Sequence, residues 1–344
     1  MADVGHGLSL ALQFYDFNFH IDCGGDKNRY KKAYLNLLCN NPKVFILSHF
    51  HSDHYNALVY AKNKKLPNAN IEKLYFPRIP ESVKEKEHFL KCLFVMNFIT
   101  LGDVTGSMEL DLINLIQSLS DRTINFKPVS QGDIIENGIE ILWPPKDILM
   151  YGKDVNKEVI KAIEEFETVK ENNEFLKEIY KIINVDTYFR EWSSEYRNNY
   201  FESKMRYYKE IDEKTKKKIK KLNKTFRKVA NYFSLAFRLD NDILFMGDLE
   251  ESDIGIILEN IEKDDNHYRV LITPHHGTHW NDNFYKFQFK YAISSEGSKY
   301  FGYLNPRFGK ISFCFKCTYL CEDIIISENN CNCFRCRIRG MMDC

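Results

Sequence analysis

The sequence predicts an α/β protein: one domain in two halves, split by a helical insertion and followed by a cysteine-rich end. Three observations carry this. Short β-branched and aromatic runs alternate with turns and helical stretches up to about residue 145, and return after residue 228. Between them glycine all but vanishes, and Lys, Glu, Asn and Tyr dominate. Cysteines crowd the last residues. Strands on both sides of a helical insert argue for one split domain rather than two in tandem. The expected division is 1–145, 146–228, 229–310 and 311–344.

The elements follow in order. "LSLALQFYDFNFHIDCGG" reads as a hairpin, with its turn near Tyr15 and Asp16 and a flexible exit at Gly24 and Gly25. "KVFILSHF" is a strand, "HYNALVYAKN" has helical spacing, and "EKLYFP" is a short strand. "PESVKEKEHFLKCLFVMNFIT" has the length and period of a helix. "DIIENGIEILWPP" is a strand pair around an Asn137-Gly138 turn, ended by two prolines. In the insertion, Val159, Ile163, Phe166 and Val169 recur at helical intervals, as do Ile219, Leu222, Phe226 and Val229. They suit an antiparallel helical hairpin. Strands resume at "YFSLAFRL", "DILFMGDLE", "YRVLITPHHGTHW" and "KYAISSEG".

Composition limits the function. The 48 basic and 48 acidic residues cancel, so any attraction to nucleic acid must be local. Hydrophobic residues at 44%, with 26 Phe and 20 Tyr, imply a folded core rather than disorder. No apolar run approaches the ~20 residues of a membrane span, and "MADVGHGLSL" lacks the features of a signal peptide. A cytoplasmic protein without a membrane partner is expected, its cysteines reduced or metal-bound.

"LSHFHSDHYNAL" holds three of the ten histidines, directly after the strand "KVFIL". In an extended segment His49 and His51 project to one side. Asp53 and His54 open the next helix and face a second position. Imidazoles with a carboxylate suit zinc, manganese or iron.

This H-x-H-x-D-H after a core strand resembles the mark of the metallo-β-lactamase superfamily. That resemblance implies an αββα sandwich. It also implies further site residues: Asp22 in "FHIDCGG", a bridging Asp248 in "ILFMGDLE", and His275 or His276 in "VLITPHHGTH". "DVGHG", "QGDIIENGIEILWPP", "NYFSLAFRL", "GDLE" and "PHHGTH" are similar to the soluble hydrolase domain of the ComEC family of competence proteins. That domain is thought to be a nuclease acting on one DNA strand. The family's membrane channel has no counterpart here, so a free-standing relative is expected. The departures are His6 in place of the usual Gln, Tyr232 and Phe233 between Asn231 and Ser234, and the insertion itself. A third histidine for the first ion is also missing. Only His88 lies between His54 and Asp248, in a helical stretch that points to a surface or packing role.

The resemblance implies a dinuclear Zn2+ or Mn2+ centre. His49, His51 and Asp248 would hold one ion. Asp53, His54, Asp248 and one of His275 and His276 would hold the other. Asp22 would orient a ligand histidine, and the remaining histidine would stabilise the transition state or protonate the leaving group. A metal-activated hydroxide would cleave a phosphodiester, with DNA or RNA as the expected substrate. Two other classes stay open: a lactonase or cyclic-nucleotide esterase, and a non-catalytic zinc-binding protein on the same fold. "KTKKKIKKLNKTFRK", residues 214–228, has nine basic side chains and no acid. It is either a phosphate-tracking patch or a solvated helix face. Tyr207, Tyr208 and Phe226 would stack on bases or pack in the core. Cys314-x2-Cys317 and Cys333-x2-Cys336 have the spacing of a structural Zn2+ site, with Cys321, Cys331 and Cys344 left over. The alternative there is a loose end with free thiols.

Overall fold

Alternation within single strands divides the interior in two. In Val44-Phe45-Ile46 the outer residues face one core and Phe45 faces another. The computed structural model describes residues 1–14, 17–105, 112–184, 211–261, 266–327 and 331–332. It contains two large mixed sheets. Strands β1 (Leu10–Gln13) and β2 (Asn18–Ile21) pair antiparallel. Strands β3 (Val44–Ile46), β4 (Lys73–Pro77) and β5 (Asn125–Val129) then add in parallel, in the order β1-β2-β3-β4-β5. The second sheet holds β6 (Ile139–Trp143), β7 (Ala236–Leu239), β8 (Ile243–Phe245), β9 (His267–Ile272), β10 (Gln288–Ser294) and β11 (Ser312–Cys317). Its order is β11-β10-β9-β8-β7-β6, parallel from β8 to β11 and antiparallel at β6-β7-β8.

Phe19, Ile21, Val44 and Ile46 share one core with Ile141, Phe237, Phe245 and Val270 of the second sheet. The alternate residues Phe45, Leu74, Leu244 and Leu271 meet flanking helices. These include α1 (Tyr30–Asn40), α2 (Asn56–Asn63), α3 (Lys86–Thr105) and α4 (Leu112–Gln117). The expected turn at Asn137-Gly138 is present, with φ of 59° and 76° at the two residues. No helix among the described residues is long and apolar enough to cross a membrane.

The insertion extends the core. Helices α5 (Val155–Glu171), α6 (Glu174–Asn184) and α7 (Glu213–Asn231) follow β6, and Ile219, Leu222, Phe226 and Val229 of α7 are buried as the periodicity required. Phe226 stacks on Phe89 of α3, with centroids 5.4 Å apart, and meets Phe166 of α5 edge-on at 6.0 Å. A boundary at residue 228 therefore falls inside α7, which runs on to Asn231. Tyr232 and Phe233 are aromatic anchors for its exit. The Trp143 indole donates to the Tyr232 carbonyl (2.8 Å), and Phe233 is buried beside Phe89 and Tyr151. Phe226→Ala should cost about 3–5 kcal/mol in denaturant unfolding. A cost below about 1 kcal/mol would show that the insertion is no part of the common core.

The cysteine-rich end needs correction. Ser312–Cys317 is not part of a separate tail but the edge strand β11, paired parallel with β10. Residues three apart on a strand point to opposite faces. Cys314 lies in the core between the sheets, so Cys317 points away from it and the two do not close a zinc knuckle. Cys333 and Cys336, like Tyr207 and Tyr208, lie outside the described residues.

Candidate metal centre

Strand ends supply the site. Asp22 follows β2, Ser48 and His49 follow β3, Asp248 follows β8, and His275 and His276 follow β9. These are the carboxyl ends of strands that run parallel in each sheet, where loops of α/β proteins gather their functional groups. Backbone bonds hold the ends together: Asp22 N donates to Ile46 O (2.9 Å), Cys23 N to His54 O (2.8 Å), and Leu235 N to Ser48 O (2.7 Å). Gly24 is required here, because a Cβ would collide with the backbone carbonyl of Asp53. Asp53 and His54 do not begin α2 but occupy a 3-10 turn, Ser52–His54, just before it.

Three imidazoles surround one carboxylate oxygen. Nε2 of His49, His54 and His276 stand 3.7, 3.6 and 3.6 Å from Asp248 Oδ2. These distances are too long for hydrogen bonds. Two ligands bound at ~2.1 Å to one tetrahedral ion, however, stand about 3.4 Å apart. His51 adds Nδ1 at 2.8 Å from His49 Nε2. Nε2 of His51, His54 and His276 and Oδ1 of Asp53 are buried without a hydrogen-bond partner. Each such orphan costs about 1–3 kcal/mol, and those of His54 and His276 face Asp248 Oδ2, where a bound ion would satisfy both. Burial, reinforced for His49 by His54 and for His51 by Arg227, drives both rings well below the ordinary imidazole pKa. They are neutral, with lone pairs to give.

The opposite ring nitrogens are anchored. His54 Nδ1 lies 2.6 Å from Asp22 Oδ2, and His276 Nδ1 donates to Ser295 O at 2.9 Å. His49 Nδ1 contacts Ser48 Oγ at 3.0 Å. Asp22 in turn accepts from Ser48 N (2.7 Å) and Ser48 Oγ (2.5 Å). Such outer contacts fix the tautomer and aim of metal ligands. A divalent ion fits this set.

A second group lies alongside. Ligand atoms of His6, Asp53 and His276 fall within 4.8 Å of one another. His6 Nε2 is 3.3 Å from Asp53 Oδ2, and its ring lies against His276 and Tyr300, with centroids at 4.6 and 4.4 Å. Arg227 Nη2 donates to the same Asp53 oxygen at 2.8 Å. Burial resists ionisation of Asp53, but Arg227, His54 and His6 pull its pKa well below the usual carboxylate range.

Of the residues expected from sequence, His49, His54, Asp248 and His276 converge, His51 touches His49, and Asp22 backs His54. Asp53 is near His276 but is paired with Arg227. His275 turns away to His279, with Nδ1 atoms 3.2 Å apart. His88 lies on α3 and pairs with Glu167 of α5 at 3.1 Å. Sequence reasoning did not single out Arg227, His279 or Glu250, and left His6 as a departure without a ligand role. Arg227 was countable within the basic run, but its orientation depends on how α7 packs.

Over the centre opens a cleft of about 770 Å³. His51 and His276 reach it from below. Lys220, Lys224, Arg227 and Lys228 line it from α7, with Lys299 from the loop after β10. At spacings of three and four residues, the four α7 cations share one face, beside the apolar stripe that packs into the core. Compared with protein-family models, curated proteins and solved structures, the chain matches none.

Proposed function

We propose that the chain is a metal-dependent phosphodiesterase built on an αββα sandwich of metallo-β-lactamase type, with a polynucleotide as substrate. One observation carries the reading: five cationic side chains line the cleft into which His51 and His276 project. A polyanion suits that wall, whereas a neutral lactone gains nothing from it. Zn2+ or Mn2+ bound by His49, His54, Asp248 and His276 would supply an activated water and a Lewis acid for the phosphoryl oxygens. Asp22 holds His54 in one orientation through the 2.6 Å contact. Lys220, Lys224 and Lys228 hold non-bridging oxygens of the chain being cut. Arg227 neutralises Asp53 and lines the cleft, where the substrate's negative charge accumulates.

The test is a substrate panel. Protein loaded with Zn2+ or Mn2+ is offered single-stranded DNA, duplex DNA, RNA, bis-p-nitrophenyl phosphate and a simple lactone. Cleavage of at least one polynucleotide, with loss of activity in chelator and recovery on adding metal, is expected. Turnover of the lactone with none of the phosphodiesters touched would overturn the reading.

A further inference from the structure

The turn after β9 sends two neighbouring histidines in different directions. His275 and His276 both have left-handed backbones, with φ of 45° and 57°, and Gly277 follows at 85°. A Cβ at Gly277 would press on Ser294 Oγ at 2.7 Å, so only glycine completes the turn. Non-glycine residues in this region cost of order 1–3 kcal/mol each, and such strain gathers where side chains must be aimed. His276 is aimed at Asp248. His275 is aimed elsewhere, with its ring centroid 4.0 Å from that of His279.

We propose that Glu250, His275 and His279 form an auxiliary divalent-cation site on the wall of the same cleft. One ligand atom from each lies within 4.8 Å of the others, and all three line the cleft. Hydrogen bonding does not account for their convergence. His279 Nδ1 stands 2.7 Å from the Leu249 carbonyl, which only accepts, so that nitrogen carries the ring's proton and the lone pair lies on Nε2. His275 Nδ1 therefore faces, at 3.2 Å, a nitrogen whose hydrogen is already committed. The Glu250 carboxylate has only a long 3.4 Å contact from Asn231 among the described residues. Two imidazoles and a carboxylate, one imidazole braced by a backbone carbonyl, make a donor set for a borderline ion such as Zn2+. The site stands on its own geometry. Only its use, binding a phosphate oxygen opposite the Asp248 centre, rests on the phosphodiesterase reading.

Metal counting tests it. Full-length protein saturated with Zn2+ and freed of loose ions by gel filtration is analysed for zinc per chain. Glu250→Gln, His279→Asn and Asp248→Ala are treated identically. Gln matches Glu in shape and Asn keeps a donor for the Leu249 carbonyl, and thermal unfolding confirms that each variant is folded. His275→Asn is the reserve variant, read by the same count. Glu250→Gln and His279→Asn should each hold one ion fewer than the wild type, and Asp248→Ala should retain that ion. Wild-type counts in folded Glu250→Gln and His279→Asn overturn the auxiliary site and leave the Asp248 centre untouched. If Asp248→Ala loses no ion while the other two each lose one, the auxiliary site stands and the central reading falls.

Discussion

Asp248→Ala should lower phosphodiester cleavage by at least about 10³-fold, with loss of metal from the centre and little change in fold. Asp248 Oδ2 is the atom shared by the Nε2 contacts of His49, His54 and His276. Its removal takes from that set the carboxylate whose charge would hold a cation. Two measurements belong together: zinc per chain by elemental analysis and kcat/KM on bis-p-nitrophenyl phosphate. A variant that keeps its metal and its rate would show that the carboxylate is not at the centre of the chemistry. Asp22→Asn, one contact further out, should lower metal affinity by only about 10–100-fold.

The second large effect concerns the cleft wall. Reversing Lys220, Lys224 and Lys228 to Glu should weaken polynucleotide binding by two orders of magnitude or more at low salt. The slope of log K against log salt should flatten by about 2–3, because each lost phosphate contact removes about 0.7–0.9 of a released counterion. Metal content should not change, since none of the three lysines contacts His49, His54, Asp248 or His276. These lysines line the cleft over the centre, so turnover of a small phosphodiester should fall as well. Both substrates should therefore suffer, the polymer more. Unchanged affinity and salt dependence would reduce α7 to a solvated surface.

Much of the framework was legible because its signals were local. The strand "KVFIL" runs into the histidines, and Asn137-Gly138 makes the turn its residue types favour. Val159, Ile163 and Phe166 announced α5 by spacing alone. Strand β5 left little trace, for it is mostly exposed and contains Pro128 at a sheet edge. Helix α1 went unread between the hairpin and β3. Spacing misled at Cys314 and Cys317, because a C-x2-C pair is a knuckle only on a turn, and β11 is extended. At the centre, residue types were readable and directions were not. Which of His275 and His276 meets Asp248 depends on two left-handed backbone conformations that the sequence "PHHG" does not declare. The pairing of Arg227 with Asp53 spans 174 residues of chain and depends on tertiary packing.

That separation has a consequence for synthesis and folding. His49, His54, Asp248 and His276 come from opposite ends of the domain, and the braces come from Asp22 and Ser295. During translation the histidine turn emerges almost two hundred residues before the carboxylate it surrounds. Contacts of this span form late, after many loops have closed. Until β8 and β9 are in place, the early histidines have Asp22 and Ser48 to brace them but lack Asp248 and His276. Metal capture thus becomes a report on complete folding: a chain arrested before residue 248 should bind zinc weakly and exchange it fast, whatever its helices have already formed.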